Sequence, residues 1–179
     1  MAKSTGKDFE LQIKESTSKY PQIYYYRLKD SAVSFNHTEN TSYTPSNDYD
    51  CFMYSYPNFF PMELKSSKGT SFSFQRDKKD KGKNIKLSQI EGLTKASLVS
   101  GVYAGFLFNF SDKYKTYWMN VKDFNRFYYE SSKKSLNEMD MIDYGAVLLL
   151  QELKKVKYHY KLGLLLEEII NQKKFNPTT

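Results

Sequence analysis

Residues 59 to 65, Phe-Phe-Pro-Met-Glu-Leu-Lys, place a glutamate and a lysine inside a run that is otherwise apolar. Successive side chains of a β-strand point to opposite faces, so Met62 and Leu64 are expected to share one face. Glu63 and Lys65 then lie side by side on the other. The pattern predicts a strand whose apolar side faces the core and whose opposite side carries adjacent opposite charges.

A second strand-like run, residues 49 to 54, precedes this strand, and the sequence Ser-Tyr-Pro-Asn between them favours a tight turn. The two runs are predicted to form a β-hairpin. If the turn is centred on residues 56 and 57, Asp50 falls level with Glu63. The hairpin therefore brings together Asp50, Glu63 and Lys65.

Two carboxylates held close together repel one another unless a cation joins them, and Mg²⁺ accepts one or two carboxylates while keeping several waters. A neighbouring ammonium can orient such a water or offset charge on a phosphate oxygen, as hydrolysis of a phosphodiester requires. The alternative is a cross-strand ion pair of Lys65 with Asp50 or Glu63, worth about 0.2 to 1 kcal/mol on an exposed face. The spacing alone leaves both interpretations open.

Length and composition indicate one domain over residues 1 to 179, because 179 residues at 40% hydrophobic content suffice for one packed core. The longest apolar runs, such as Ala146 to Leu150, fall far short of the roughly 20 residues that a membrane helix needs. The N-terminus has no apolar stretch of signal-peptide length, and a lone cysteine, Cys51, cannot form an internal disulfide. We expect a cytoplasmic protein with no membrane segment.

The chain carries 27 Lys and Arg against 20 Asp and Glu, a net charge of +7 that fits a polyanionic partner such as DNA. Basic residues crowd the stretch that follows the Glu-x-Lys strand, where a phosphate backbone can bind. Their alternative role is that of a solvated loop. The candidate DNA-binding residues are Lys68, Arg76, Lys78, Lys79, Lys81, Lys83 and Lys86.

Hydrophobic periodicity and turn residues predict the remaining elements. Residues 102 to 110 are apolar enough for a central strand, with Phe106, Phe108 and Phe110 in the core, and no aromatic residue is assigned to DNA. The region 122 to 179 is expected to be a helical extension that packs on the same core or at a dimer interface, with 155 to 161 ambiguous. The predicted helices cover residues 7–17, 85–101, 123–133, 146–155 and 162–174, and further strands cover 22–28 and 115–121.

The order of these motifs resembles the PD-(D/E)xK nuclease superfamily and, more closely, the RecU-type Holliday junction resolvases. The resemblance covers roughly residues 6 to 121 and rests on several short motifs in sequence. These are Gly6 to Glu10 in the first helix, Pro-Ser-Asn-Asp-Tyr-Asp ending at Asp50, Glu63-x-Lys65, Thr70-Ser71-Phe72, Ser88-Gln89 and Gly101 to Phe106.

The resemblance implies an α/β, restriction-endonuclease-like core with a mixed central β-sheet flanked by helices in αβββαβ order. It implies that Asp50 and Glu63 hold Mg²⁺, or Mn²⁺, and that Lys65 assists the attacking water. Gln89 and Glu10 would flank them as further catalytic residues. The family's Asp-Tyr pair also matches Asp48 and Tyr49 in letters, which leaves Asp48 as an alternative metal ligand.

Three departures from the family pattern qualify these expectations. The histidine that precedes the family's glutamine is Ser88 here, which removes a possible phosphate or metal contact. The segment of residues 30 to 47, which corresponds to the stalk that resolvases insert into a junction, is shorter and carries few cations, Lys29 and His37 among them. Pro61 removes a ladder donor and indicates a strand start or an unpaired edge.

These features predict a metal-dependent, structure-selective DNA endonuclease acting on four-way (Holliday) junctions in recombination and repair. A homodimer is expected because symmetric cutting of a four-way junction requires two sites. The alternatives are a general PD-(D/E)xK nuclease on duplex or single-stranded DNA, and a DNA-binding relative or basic partner without catalysis. The sequence does not separate these alternatives.

Overall fold

The structure is a computed structural model, and it describes residues 6–28 and 47–175, with the side chains of 173–175 excluded. Nearly all of the segment 30 to 47, which corresponds to the resolvase stalk, therefore lies outside the described residues. Lys29 and His37 lie outside them as well. None of the helices within the described ranges is both long and apolar enough to cross a membrane.

The strands within the described residues are β1 (Tyr24–Arg27), β2 (Cys51–Ser55), β3 (Asn58–Ser67), β4 (Ser71–Ser73), β5 (Gly105–Phe110), β6 (Lys115–Asn120), β7 (Ser135–Asn137), β8 (Val147–Leu148), β9 (Gln151–Lys154) and β10 (Lys157–Tyr160). Six of them form the mixed sheet at the centre of the fold, in the order β1-β2-β3-β5-β6-β8. Strands β3 and β5 run parallel, whereas every other neighbouring pair in this sheet is antiparallel.

Within the described ranges, five α-helices flank this sheet, and the predicted α/β class with a mixed central sheet in αβββαβ order is confirmed. The helix predicted from residue 85 is shorter than expected, because it ends before the exposed Leu98. The helices are α1 (Gly6–Thr17), α2 (Leu87–Ala96), α3 (Val121–Glu130), α4 (Glu138–Asp143) and α5 (Leu162–Phe175).

Each face of the sheet is covered by its own apolar core. The first core joins α1 and α5 to one face, and the second core joins α2, α3 and α4 to the other. The first core contains Phe9, Ile13, Cys51, Met53, Phe60, Met62, Leu64, Leu107, Trp118, Leu162, Leu165, Leu166 and Ile169. The second contains Phe72, Phe74, Ile90, Leu93, Phe106, Phe108, Phe110, Met119, Phe124, Phe127, Leu136 and Met141.

This two-sided covering corrects the expectation that β3 has a single core-facing side. Met62 and Leu64 lie in the first core as predicted, but the neighbouring Pro61 and Glu63 are buried too. Strand β5, whose six residues are all buried, lies beside β3 and confirms the prediction of a central strand. Adjacent charges on β3 are therefore held under α2 and not on a solvent-exposed face.

Pro61 lies inside the central strand β3, which contradicts the expectation of a strand start or an unpaired edge. It pairs with Phe52 on β2. The continuous ladder with β5 begins only at Met62, one residue later. The sheet thus accommodates the missing N–H of proline by starting the parallel ladder after it.

The expectation of a helical extension over residues 122 to 179 is wrong in part. The run from Ala146 forms β8, which pairs with β6 at the edge of the sheet, and then enters the β9–β10 hairpin. Short apolar runs do not distinguish a strand from a helix by periodicity, which explains the error. The ambiguous stretch 155 to 161 contributes β10, and α5 packs in the first core.

Gly105, at the start of β5, permits the close approach of β6. A Cβ at this position would lie 2.8 Å from the Trp118 ring and would overlap the carbonyl oxygen of Met119. Backbone oxygens in a sheet cannot move aside without breaking the ladder. The glycine is therefore required by the spacing between two central strands.

We predict that Gly105→Ala lowers the free energy of unfolding by about 1 to 3 kcal/mol, the usual cost of overpacking a core. Urea denaturation of both proteins measures this difference. Gly6→Ala is the matched control, because a Cβ at Gly6 meets nothing within 4 Å. Equal destabilisation by the two substitutions would contradict the close packing of β5 against β6.

Candidate active site

The β2–β3 hairpin has the register that the sequence predicts. Ser55 pairs with Asn58 across a turn at Tyr56 and Pro57, and Cys51 pairs with Met62. The register of the ladder ends at this pair, and Asp50 lies just beyond it. Its amide donates to the carbonyl of Met62 at 3.2 Å, and its carboxylate lies within hydrogen-bonding reach of Glu63.

Glu63 is a buried carboxylate, with 1% of its surface exposed. Its Oε1 atom accepts hydrogen bonds from two side chains, the ammonium of Lys65 at 2.8 Å and the amide of Gln89. Its Oε2 atom is buried and accepts no hydrogen bond from a donor within the described residues, and the nearby Asp50 carboxylate is itself an acceptor. A buried oxygen without a partner is costly, so this atom is suited to a ligand.

The pKa of Glu63 is raised to about 8, mainly because the carboxyl group is buried away from water. The positive charge of Lys65 acts in the opposite direction and lowers this pKa. The carboxylate of Asp50, which lies within hydrogen-bonding reach, raises this pKa further. Two acidic groups and one ammonium therefore share one site, where a proton or a metal cation is needed to balance the second carboxylate.

Asp50 is fixed by the backbone on both sides of its strand. Its Oδ2 atom accepts a hydrogen bond from the amide of Leu64 at 2.8 Å, and its carbonyl accepts from Leu28 at 2.9 Å. These bonds hold the carboxylate against β3 beside Glu63. The sheet therefore preorganises both acidic groups without help from a loop.

Gln89 connects the site to the beginning of α2. Its Oε1 atom accepts from the backbone amide of Lys86 at 3.0 Å and so caps the helix, while its amide donates to Glu63. The N-terminus of a helix favours negative charge. The predicted Gln89 thus touches the site, and it positions both the helix and the carboxylate.

Gln75 is a further residue of this neighbourhood, and sequence patterns did not reveal it. Its side-chain oxygen accepts a hydrogen bond from the amide of Leu87 at 2.9 Å, at the first residue of α2. It therefore anchors the helix that carries Gln89. Only the proximity of Gln75 to the basic stretch marks it in the sequence, and that signal does not specify its role.

Asp48 does not join the carboxylate pair. It is exposed, and its side chain lies against Gly92 in the middle of α2, where a Cβ would come within 2.5 Å of the Asp48 Cβ. Among the described residues there is no group of three or more acidic, histidine or cysteine side chains that could hold a metal. The geometry thus favours Asp50 over Asp48.

Glu10 is likewise not brought into contact with Glu63. It lies on α1, which packs on the face of the sheet opposite to the one that carries Glu63. Its Oε2 atom accepts from both Nε and Nη2 of Arg27 at 2.7 Å. Because Arg27 pairs with Cys51, Glu10 supports the β1 side of the site and does not enter it.

Five of the predicted DNA-binding lysines lie on a segment that leads from β4 into α2, which we call the lysine loop (residues 77 to 86): Lys78, Lys79, Lys81, Lys83 and Lys86. Phe74 and Ile85 are buried and form a bridge that holds the two ends of this loop together. Lys86, at the end of the loop, is the residue whose amide donates to Gln89. The loop therefore ends beside a residue that contacts Glu63.

The ammonium groups of the predicted DNA-binding lysines form no ion pair within residues 6–28 and 47–175. Lys68 follows the end of β3, and Lys83 is half-buried, whereas the others are exposed. They remain candidates for phosphate contact. The exposed and half-buried members are Lys68, Lys78, Lys79, Lys81, Lys83 and Lys86.

Arg76 has a different position from these lysines. Its guanidinium donates to the backbone carbonyls of Tyr128 at 2.8 Å, of Lys133 at 2.8 Å and of Ser131. It also stacks over the Tyr128 ring, 4.6 Å from the centroid. Arg76 thus caps the C-terminal end of α3, and these internal contacts occupy the guanidinium that was predicted to bind DNA.

The residues present fit a hard divalent cation. Asp50 and Glu63 supply two carboxylates, and the Oε2 atom of Glu63 has no partner among the residues described. Mg²⁺ needs only one or two carboxylates, because waters complete its octahedral shell. The donor set is all oxygen, which suits Mg²⁺ or Mn²⁺ and not a thiolate-seeking metal.

Comparisons with known proteins give one curated relative and a set of solved structures. The SPbeta prophage-derived uncharacterized protein YotM of Bacillus subtilis (strain 168) is 30% identical over 184 residues, covering 96% of this chain and 89% of that protein. No protein-family profile matches the chain.

Among solved structures, the Holliday junction resolvase Hjc of Archaeoglobus fulgidus aligns with a TM-score of 0.47 at 12% identity. The alignment covers 76% of this chain and 88% of that one. A likeness at this level does not assign an activity.

We predict that the metal-free protein loses stability as pH rises from about 5 to about 8. The pKa of Glu63 is about 8 in the folded state against 4.5 as the ordinary value, so the folded protein keeps a proton that the unfolded chain releases. Linkage then lowers the free energy of unfolding by at most about 1.4 kcal/mol per pH unit in this window. Urea unfolding in a chelator, at several pH values, measures the slope.

Glu63→Gln carries no titrating proton at this position and should flatten that slope, whereas the exposed Glu91→Gln on α2 should leave it unchanged. The same pH dependence in wild type and Glu63→Gln would show that Glu63 does not titrate in this window.

Proposed function

We propose that this chain, which belongs to the same protein family as YotM, is a metal-dependent DNA endonuclease. One observation carries the proposal: Asp50, Glu63 and Lys65 converge at a buried carboxylate whose second oxygen has no partner within the described residues. An ion pair that serves only stability gains nothing from a second carboxylate beside it, since like charges raise the cost of burial.

Asp50 and Glu63 are the residues that would hold Mg²⁺ or Mn²⁺. When bound, such a cation lowers the pKa of a water and stabilises negative charge on a phosphate oxygen. Gln89 keeps one oxygen of Glu63 occupied and so directs the other towards the ligand.

Lys65 is the one cation in contact with Glu63 among the described residues. Its ammonium is 2.8 Å from the Glu63 carboxylate and its side chain is 17% exposed, so it can reach an incoming phosphodiester. In that position it orients the attacking water or offsets the charge that develops on the phosphate. Lys65 is thus proposed as a catalytic residue, with Gln89 as a positioning residue.

We propose that the specific DNA substrate is a branched, four-way junction and that a homodimer cuts it. The order of motifs over residues 6 to 121, which resembles RecU-type resolvases, supports this choice. Two sites are needed for symmetric cutting, which favours a closed dimer. The competing functions are those of a general nuclease acting on duplex or single-stranded DNA, and of a DNA-binding relative without catalysis.

We predict that Glu63→Gln abolishes Mg²⁺-dependent cleavage while DNA affinity stays the same or rises, because the variant lacks both a metal ligand and a negative charge. Lys65→Met should lose most of the turnover, on the order of a hundredfold or more, yet still bind metal. Labelled four-way junction and duplex, incubated with and without Mg²⁺, provide the assay. Binding is measured in Ca²⁺ by gel shift.

Glu91→Gln is the matched control, since Glu91 is an exposed glutamate on α2 outside the carboxylate pair. Retention of metal-dependent cutting by Glu63→Gln would overturn the site. Cleavage of junction and duplex at equal rates, with equal affinities, would favour the general nuclease. Binding without any cleavage by wild type would favour the non-catalytic relative.

We also predict that neutralising Lys78, Lys79, Lys81 and Lys83 together flattens the dependence of log affinity on log salt. The slope should fall by about 0.9 for every phosphate that the variant no longer neutralises. The control has the same change in net charge, on the β9–β10 hairpin and the residue that follows it. It neutralises Lys154, Lys155, Lys157 and Lys161. Equal slopes in the two variants would mean that the lysine loop is only a solvated surface.

A further inference from the structure

Five aromatic side chains share one face of the sheet beside the candidate active site. Strand register places Tyr24 opposite Tyr54, Tyr26 opposite Phe52, and Tyr54 opposite Phe59. Paired residues point to the same face, so these side chains lie on the side that Cys51 and Met53, which enter the first core, do not occupy. We call this set the aromatic platform: Tyr24, Tyr26, Phe52, Tyr54 and Phe59.

The platform is continuous and reaches solvent. Phe52 lies at its centre, with ring centroids 4.8 Å from Phe59, 5.6 Å from Tyr26 and 6.2 Å from Tyr24. Tyr24, Tyr26 and Tyr54 are 59%, 42% and 39% exposed. Neither core includes any of the five, so the second core ends at β3 and leaves this part of the face without a covering helix among the described residues.

The platform continues directly into the candidate active site. Pro61, opposite Phe52, is two residues before Glu63 on β3, which places the two about 7 Å apart along one face. Asp50 directly precedes β2 and lies within hydrogen-bonding reach of Glu63. The carboxylate pair thus lies between the platform over β1 and β2 and the α2 side of the face, where the lysine loop enters.

The aromatic platform, the carboxylate pair and the lysine loop together match the chemistry of a nucleic acid strand. The platform contains no charged side chain, whereas the lysine loop on the other side of the pair carries several cations. A base offers a flat π-face with polar edges, which tyrosine and phenylalanine rings stack against without regard to sequence. A phosphate needs the cations instead. Paired bases in a duplex have no free faces, so only unpaired nucleotides can use the platform.

A second copy of the chain is the competing occupant of an exposed aromatic face. A protein seated on Phe52 and Tyr26 would cover the side of the site on which Asp50 lies, two residues away, and would obstruct the approach of a polyanion. A single strand of DNA that lies on the platform instead leads its backbone towards Asp50 and Glu63. Continuity with the carboxylate pair therefore favours nucleic acid.

We infer that the aromatic platform stacks the unpaired bases of single-stranded DNA next to the phosphodiester to be cut. The inference rests on the proposed function, and it defines the substrate class more closely: DNA that carries unpaired nucleotides, as at an open branch point or a flap. Selectivity then comes from stacking, which the platform supplies in addition to the phosphate attraction of the lysine loop.

The test is the double variant Tyr24→Thr/Tyr26→Thr, in which threonine keeps the β-propensity of strand β1. Affinity is measured in Ca²⁺ for a labelled oligothymidylate of about 15 nucleotides, within the range of single-strand site sizes. We expect a loss on the order of tenfold or more for the single strand, because each stacked base contributes substantially. Affinity for a blunt-ended duplex of two annealed strands, which has no unpaired bases, should barely change. Tyr129→Gln removes an exposed tyrosine on α3 and is the control.

Photo-crosslinking gives a second readout that does not depend on the folding of a variant. An oligonucleotide with 5-iodouracil should crosslink wild-type protein at the platform, identified by mass spectrometry of the attached peptides. Crosslinks confined to other segments, or single-strand affinity unchanged relative to Tyr129→Gln, would overturn the inference. Conversion of a dimer into a monomer by the double variant, seen by light scattering, would assign the platform to a second copy and overturn it as well.

The two proposals fail separately. Binding in Ca²⁺ needs no cleavage, so loss of single-strand affinity in the double variant supports the platform even if wild-type protein cuts no DNA. Glu63-dependent cleavage, together with normal single-strand binding by the double variant, refutes the platform alone.

Discussion

The burial of the Glu63 carboxylate is the constraint on which the rest of this structure depends. A carboxylate with 1% exposure is tolerated only where donors compensate its lost hydration. Lys65, on the same strand, and Gln89, at the start of α2, supply those donors to one oxygen. The Glu63 carboxylate therefore connects strand β3 to the start of α2. Its second oxygen is left for the cation that it would share with Asp50.

The covered sheet explains why this arrangement is rigid. Apolar side chains of β3 enter the first core under α1 and α5, while β5 contributes Phe106 and Phe108 to the second core beneath α2. Arg76 and Gln75 tie the flanking segments to α3 and α2 through backbone contacts. Such a scaffold holds side chains within the narrow tolerances that phosphodiester chemistry needs, because packed cores do not deform continuously.

Local sequence patterns are sufficient to predict the parts of the fold that follow strand alternation. The hairpin register pairs Cys51 with Met62 and so brings Asp50 beside Glu63, because one turn and a period of two leave little freedom. The same patterns fail where tertiary contacts decide: the run from Ala146 pairs with the edge strand β6, and Arg76 caps a helix far away in sequence. Glu10 and Asp48 match the residue types of family motifs. In the structure, however, Glu10 lies on the opposite face of the sheet from Glu63, and Asp48 lies against Gly92.

The central claim is that Asp50 and Glu63 jointly hold a divalent cation. A crystal structure grown with Mn²⁺ at a pH near 8, with data collected for anomalous scattering by manganese, tests it most directly. We expect one strong anomalous peak that both carboxylates contact, with Lys65 nearby, and its disappearance in Glu63→Gln. Anomalous density at another cluster of the chain, or none while Glu63 keeps its contacts to Lys65 and Gln89 alone, would contradict the claim.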